Sequence, residues 1–352
     1  MPGVVGFFSG WSGLRRFWGL LLVLLAGVIG TLQLIGAPPA PMTGPEPPRS
    51  RTEERAPSPQ IVHPAPSAMI DRQAGPGRDS PGPINDPDPA LLESSGGSAP
   101  QVLPRIAPDG RQAMRHYAAG FDRTTTRPRV GILIAGIGLG SADSKRAITD
   151  LPAGVSFAVS PYTLNAEVLL GSIRLAGHEY VVSLPMEPLR FPLNDPGPNA
   201  MLTTLSVEQN QPRLLWALSR FQGYAGATDI MGAMRGERLA DMPDQMTPIL
   251  AELNRRGLMY VAAPGQPSPV PSAWSRAVDL TIDDPADATA IDAQLAALET
   301  TARDRGTALG LVEAPRPVTV DRLAAWTSGL NNRGLALAPV SALMLPPEDK
   351  PK

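Results

Sequence analysis

Between residues 130 and 340 short apolar runs alternate with longer amphipathic stretches, and this alternation restricts the chain to very few folds. The runs are "GILIA" (131–135), "VSFAVS" (155–160), "EYVVSLP" (179–185), "GLMYVAA" (257–263), "AVDLTI" (277–282), "ALGLVEA" (308–314) and "GLALAPV" (334–340). Their length and β-branched content predict strands. Helices are predicted over 141–151, 164–177, 206–221, 242–257, 286–306 and 319–334. Ser141, Ser206 and Thr319 stand where N-caps belong, and Gly177, Gly257, Gly306 and Gly334 stand where helices stop. Strands separated by helices give a parallel sheet, either open and doubly wound or closed as a barrel, with functional residues at the C-terminal ends of the strands.

Upstream, "LRRFWGLLLVLLAGVIGTLQLIGA" holds an uncharged run over 17–37. About 20 helical residues cross a hydrocarbon layer of about 30 Å. Arg15 and Arg16 precede the run, whereas the segment after it mixes Glu46, Glu53 and Glu54 with Arg49, Arg51 and Arg55. The expectation is therefore a single-pass inner-membrane anchor, with residues 1–37 comprising the cytoplasmic N-terminus and the span, and with the folded part in the periplasm. The alternative is a cleaved signal peptide and a secreted protein, since "IGAPPAP" supplies small residues. The run exceeds the usual h-region of about 7–15 residues, and Pro38 and Pro39 obstruct cleavage, which favours the anchor.

Residues 38–111 are rich in Pro, Ser, Gly and charge without apolar periodicity, and read as a disordered linker. Residues 112–128 read as a lead-in segment, 129–345 as one globular domain and 346–352 as a tail. The chain has no Cys, which removes disulfides, thiolate metal sites and cysteine nucleophiles. A net charge of −2 without a basic run gives no nucleic-acid footprint.

In "VGILIAGIGLGSADSK" a predicted strand runs into Gly136, Gly138 and Gly140 and then a helix. Backbone amides at a helix start can face an anion. The spacing is not G-x-G-x-x-G, "VSFAVSPYT" offers no acidic residue for a ribose, and Lys145 does not complete a P-loop frame. No nucleotide is expected.

Taken in order, "GILIAGIGLG", "AGHEYVVSLPMEP", "NDPGPNAMLTTLS", "IMGAMRGERLADM", "ELNRRGLMYV" and "EAPRPVT" resemble the divergent polysaccharide deacetylase family, most specifically in "LPMEP" (184–188) and "NDPGP" (194–198). The resemblance implies a distorted (β/α) barrel related to carbohydrate esterases, a divalent metal such as zinc that activates water, export, and a role on cell-envelope polysaccharide. It also exposes departures. The paired aspartates ending the first strand are Ala135 and Gly136, and the imidazole of a His-Met-Gly motif is Ile230. The His before "LPMEP" is Ser183, an Asp after Val261 is Ala262, and a late Gly-His-Pro-His reads Glu313, Ala314, Pro315 and Arg316. A hydrolytic zinc site takes three protein donors and an open position, and the domain has one histidine, His178. No metal or other cofactor is expected.

The candidate pocket lining is Ser183, Met186, Glu187, Asp195, Asp229, Glu313 and Arg316. Two carboxylates about 5–9 Å apart could perform acid–base work on a glycosidic bond. Against this, Glu187 and Asp195 read as loop-shaping residues, Asp229 as a partner of Arg235, and Glu313 as a partner of Arg316. His178 is expected to favour the dipole at the end of its own helix. Ser183 lacks the setting of a G-x-S-x-G nucleophile. Trp216 and Trp326 sit at core spacing, and Trp274, in a loop, is the candidate stacking face. The expected function is that of a non-catalytic envelope protein binding a glycan or a protein partner. The alternative is an active esterase or hydrolase using relocated carboxylates.

Overall fold

The computed structural model describes Trp18 and residues 79–95, 101–266 and 273–347. The chain divides into Met1–Val62, in which only Trp18 is described, and His63–Lys352, which holds everything below. The expected membrane span therefore lies, apart from Trp18, outside the described residues. Among those described, no helix is long and apolar enough to cross a membrane.

The strands are β1 (Leu92–Ser94), β2 (Val102–Pro104), β3 (Arg129–Ile137), β4 (Val155–Val159), β5 (Tyr180–Ser183), β6 (Gly226–Thr228), β7 (Ile230–Met231), β8 (Met234–Arg235), β9 (Met259–Ala262), β10 (Ser275–Ala277), β11 (Leu280–Thr281), β12 (Thr307–Val312) and β13 (Ala336–Leu337). The helices are α1 (Ala113–His116), α2 (Ser141–Asp150), α3 (Ala166–Leu175), α4 (Val207–Leu218), α5 (Glu237–Ala240), α6 (Pro243–Arg255), α7 (Ala288–Arg305) and α8 (Pro317–Ser328).

Nine of these strands form one parallel sheet in the order β10-β9-β6-β5-β4-β3-β12-β11, with β13 also on β3. The sheet curls. Its first and last members are consecutive in sequence: Ser275, Arg276 and Ala277 pair with β9 and, after the two intervening residues Val278 and Asp279, Leu280 and Thr281 pair with β12. One extended stretch thus joins the two ends, with further bonds from Val278 N–H to the Ala262 carbonyl (3.0 Å) and from Asp279 N–H to that of Leu309 (2.9 Å). β3 is covered on both faces and buried from Val130 to Ile137, which explains its continuous apolar run.

The predicted strand over 277–282 is thus two short pairings in one extended segment. β6 was not predicted, because "GAT" carries no apolar run; Gly226 is required there, since a Cβ would stand 2.3 Å from the Met259 carbonyl oxygen. Ser206 caps α4 through a full capping box with Gln209. Ser141 and Thr319 are not caps: Gly140 and Arg316 occupy those positions, and both residues lie inside their helices. Gly177, Gly257, Gly306 and Gly334 all take positive φ at helix or turn ends.

The linker expected over 38–111 ends earlier than its composition suggested. Residues 38–78 lie outside the described residues, but Ile84, Leu91, Leu103 and Ala107 are buried in the common core. Scattered single apolar residues among prolines have no periodicity to detect, yet suit a short hairpin (β1 and β2) and a 3₁₀ turn capped by Asp88. The lead-in segment and the C-terminus are fastened to the sheet by Glu179. Its buried carboxylate accepts from Ala119 N–H (3.0 Å), Ser156 Oγ (2.9 Å), and Ser341 N–H and Oγ (2.8 and 2.6 Å).

Candidate functional site at the C-terminal ends of the strands

β3 ends in the glycine turn. Ala135 is fully buried, and Gly136 and Gly138 take φ values of +72° and +90°, a region open to glycine. A Cβ on Gly136 would lie 3.1 Å from the Glu313 carbonyl oxygen and 3.8 Å from the Cα atoms of Ala314 and Gly232. Gly138 N–H donates to Ser144 Oγ (3.0 Å) and Leu139 N–H to the Gly136 carbonyl (3.2 Å), so these turn amides serve their own loop and helix.

A hairpin of β7 and β8 folds across this turn. Gly236 N–H closes its neck on the Asp229 carbonyl at 2.9 Å, and its tip residue Gly232 is the neighbour of Gly136. Ile230 is fully buried, Ala262 is buried, and Met186 lies under Gly236, where a Cβ would be 2.4 Å from Met186 Cβ. Ser183 is buried, and its Oγ meets no partner among the described residues. Of the positions the resemblance assigns to a metal, Ala135, Gly136, Ile230, Ala262 and Ala314 offer no donor, Ser183 offers a single hydroxyl, and Glu313 and Arg316 are paired with Arg235 and Asp283, so the residues present do not make up a donor set for a divalent ion. Among the described residues no three His, Cys, Asp or Glu side chains form a metal-holding group.

The carboxylates at these strand ends each have separate partners. Glu187 is buried, accepts from Thr203 N–H (2.6 Å) and Oγ1 (2.8 Å), and pairs with Arg238 (3.1 Å). Asp195 is exposed and accepts from Gly197 N–H at 2.8 Å, a turn-forming bond. Glu313 pairs with Arg235, which also donates to Thr281 Oγ1 (3.2 Å). Arg316 pairs instead with Asp283 (2.7 Å), whose carboxylate also accepts from the N–H groups of Glu313 (2.8 Å) and Ala314 (3.3 Å). Two expected pairs, Asp229 with Arg235 and Glu313 with Arg316, are therefore replaced. Asp283 lies just past the end of β11, which pairs with β12, so Arg316 reaches across to a neighbouring strand end rather than back along its own tight turn.

Asp229 is 1 % exposed. Its Oδ1 accepts from Ala263 N–H at 2.9 Å, while its Oδ2 and the Tyr260 hydroxyl, both buried and outside strict hydrogen-bond geometry, act on each other electrostatically. Burial pushes this carboxyl up to about 7, against the opposing pull of the Ala263 amide. Burial likewise raises the Tyr260 hydroxyl, and raises Asp283 against its backbone donors and Arg316. A carboxyl poised near neutrality is suited to proton transfer, provided a substrate can reach it.

His178 serves the other end of the sheet. Its Nδ1 lies 2.8 Å from the Val155 carbonyl and its Nε2 3.2 Å from that of Ile148, in the last turn of α2. It therefore serves the C-terminus of a neighbouring helix, not that of α3. Trp274 also departs from expectation: it is half-buried against the core just before β10, with the Arg115 guanidinium 5.7 Å from its ring. Trp216 and Trp326 pack against the core as their spacing predicts. Sequence reasoning missed Asp283, although "TIDDP" places an acid directly after an apolar run, and missed Tyr260, which the pattern had absorbed as a core residue.

Among curated proteins none matches this chain. An uncharacterized protein of Agrobacterium tumefaciens is similar in structure at 26% identity and a TM-score of 0.63, covering 69% of this chain and 99% of its own. A candidate polysaccharide deacetylase from Mycobacterium smegmatis aligns at 14% identity and a TM-score of 0.45, covering 65% of this chain and 96% of its own. The family model described as divergent polysaccharide deacetylase matches residues 132–344, which takes in the glycine turn, the hairpin and every strand end described above. The chain belongs to the divergent polysaccharide deacetylase family.

Proposed function

We propose that this member of a carbohydrate-related family is non-catalytic and works in the cell envelope, where it binds a glycan or a protein partner. Residues 17–37 hold it at the inner membrane with the N-terminus cytoplasmic and the folded part periplasmic; cleavage of that run would give a secreted form instead. The observation that supports loss of chemistry is the closure of the mouth. Gly136 sits against the Glu313 carbonyl and the hairpin tip with a positive φ, so a carboxylate-bearing residue there would be crowded and strained. The test is to purify the chain, load it with zinc, measure bound metal and assay acetate release from acetylated amino-sugar oligomers. Metal well below stoichiometric and no release above blank are expected; stoichiometric metal with turnover overturns the reading.

One observation favours the alternative, an active hydrolase working through relocated carboxylates: Asp229 is held near neutrality, where a general acid operates best. Loss of a measured turnover in Asp229→Asn, with the fold retained, would support that reading.

A further inference from the structure

Apolar side chains cluster in the open on one part of the surface. Leu139 is 60% exposed, Leu164 87%, Val168 77%, Leu189 64% and Leu193 82%. They occupy the loops that follow β3, β4 and β5, together with α3. These loops touch: Gly138 lies against the Thr163 side chain, and the Tyr162 hydroxyl abuts Gly197 and accepts from Asn199 N–H at 3.2 Å. So many large apolar side chains exposed on loops that touch one another are unusual on a soluble domain and point to a docking face.

We propose that this rim docks on a lipid surface, so that the mouth of the sheet faces the bilayer. The leucines project from loops, which suits insertion into a fluid layer better than the fit of a rigid partner. Phe191 is half-exposed between Leu189 and Leu193. Behind them lie Tyr162 and Trp216, 5.0 Å apart, with Arg220 5.3 Å from the Trp216 ring. Apolar tips backed by Trp, Tyr and Arg are the pattern of a headgroup-level interface. The exposed charges nearby, Lys145 and Arg190 against Asp143, Glu167 and Asp195, leave one net negative charge, so apolar burial rather than attraction to anionic lipid drives contact.

The occupant is also set by the tether. The chain outside the described fold, residues 38–78, lies between the apolar run and Asp79. A flexible coil of that length has an r.m.s. span of about 35 Å and an extended one reaches beyond about 100 Å. Either way a tethered domain meets the lipid surface at a higher effective concentration than a free one, so weak insertion suffices. This step rests on the reading of residues 17–37 as an anchor.

Because the chain has no cysteine, single-cysteine variants of the full chain can carry an environment-sensitive fluorophore in phosphatidylcholine liposomes. Four are needed: Leu164→Cys and Leu193→Cys on the rim, Asp304→Cys on α7 as the aqueous control, and Leu22→Cys in the apolar run. The expected result is a blue shift and quenching by nitroxide-labelled lipid at 164, 193 and 22, with neither at 304. If 22 is quenched while 164 and 193 behave like 304, the rim proposal falls and the anchor stands. If 22 is not quenched, the anchor fails, and the rim proposal falls with it unless 164 and 193 still differ from 304. A shift at 164 and 193 that appears without lipid and fades on dilution assigns the rim to a second copy and overturns the proposal.

Discussion

Replacing Asp229 by Asn tests the electrostatics of the mouth directly. The carboxyl is fully enclosed, and burial raises it from its ordinary value of 3.8 to about 7. Below pH 3.8 the folded and unfolded chains both carry the proton, and the contribution of the group to stability is fully present. As pH rises toward 7 the unfolded chain ionises first, so stability falls through this window and is lost above about 7. At about 1.4 kcal/mol per decade of proton affinity, the loss is roughly 4 kcal/mol. Asn keeps the acceptor that Ala263 N–H uses and cannot ionise. Urea unfolding of both proteins, followed by tryptophan fluorescence from pH 4 to 9, should give similar stabilities at the acid end. At pH 8 the variant should be more stable by about 2–4 kcal/mol, allowing for relaxation around the ionised group. Parallel curves, or a variant weaker at pH 8, would refute a buried uncompensated carboxyl.

Three other outcomes are expected. Gly136→Asp restores a family-type carboxylate at a position with φ of +72° and a carbonyl 3.1 Å from the new Cβ; thermal melting should show a loss of about 1–3 kcal/mol, with no gain in bound zinc. Glu187→Ala strands the Thr203 amide and frees Arg238; a loss of about 2–3 kcal/mol and faster amide exchange at Thr203 are expected, and unchanged exchange would make the contact unimportant. Burial holds His178 below its ordinary 6.5 against the opposing pull of the Val155 and Ile148 carbonyls, so its contribution is present above that value and is lost as pH falls through the lower folded value; an NMR titration of its ring nitrogens should give a midpoint below that of the same histidine in the unfolded chain.

The strands and helices of the parallel sheet were legible because a fully covered strand must be apolar throughout, as β3 is from Val130 to Ile137. β6 escaped because it is three residues long and opens on Gly226, where the Met259 carbonyl leaves no space for a Cβ, so it lacks the apolar run a strand normally shows. That Ala135, Gly136 and Ile230 carry no metal-binding side chain is legible from residue types alone. Which acid pairs with which arginine could not: Arg235 with Glu313 and Arg316 with Asp283 are set by the order of strands, not by proximity in sequence. The folded portion before residue 112 was hidden for a similar reason, because Ile84, Leu91 and Leu103 gain their meaning only from the surface they cover.

The placement of β3 in the middle of the sheet carries a consequence for biogenesis. Arg129 finds its neighbours at Thr307 and Ala336, 178 and 207 positions downstream. A nascent chain therefore presents its most water-averse strand long before the segments that shelter it exist, and the stretch at Ser275–Thr281 that joins the sheet's two ends also arrives late. Contacts so distant along the sequence favour slow folding and an interval in which a holding chaperone is needed. Truncation ahead of residue 307 should leave not a smaller domain but an aggregating fragment.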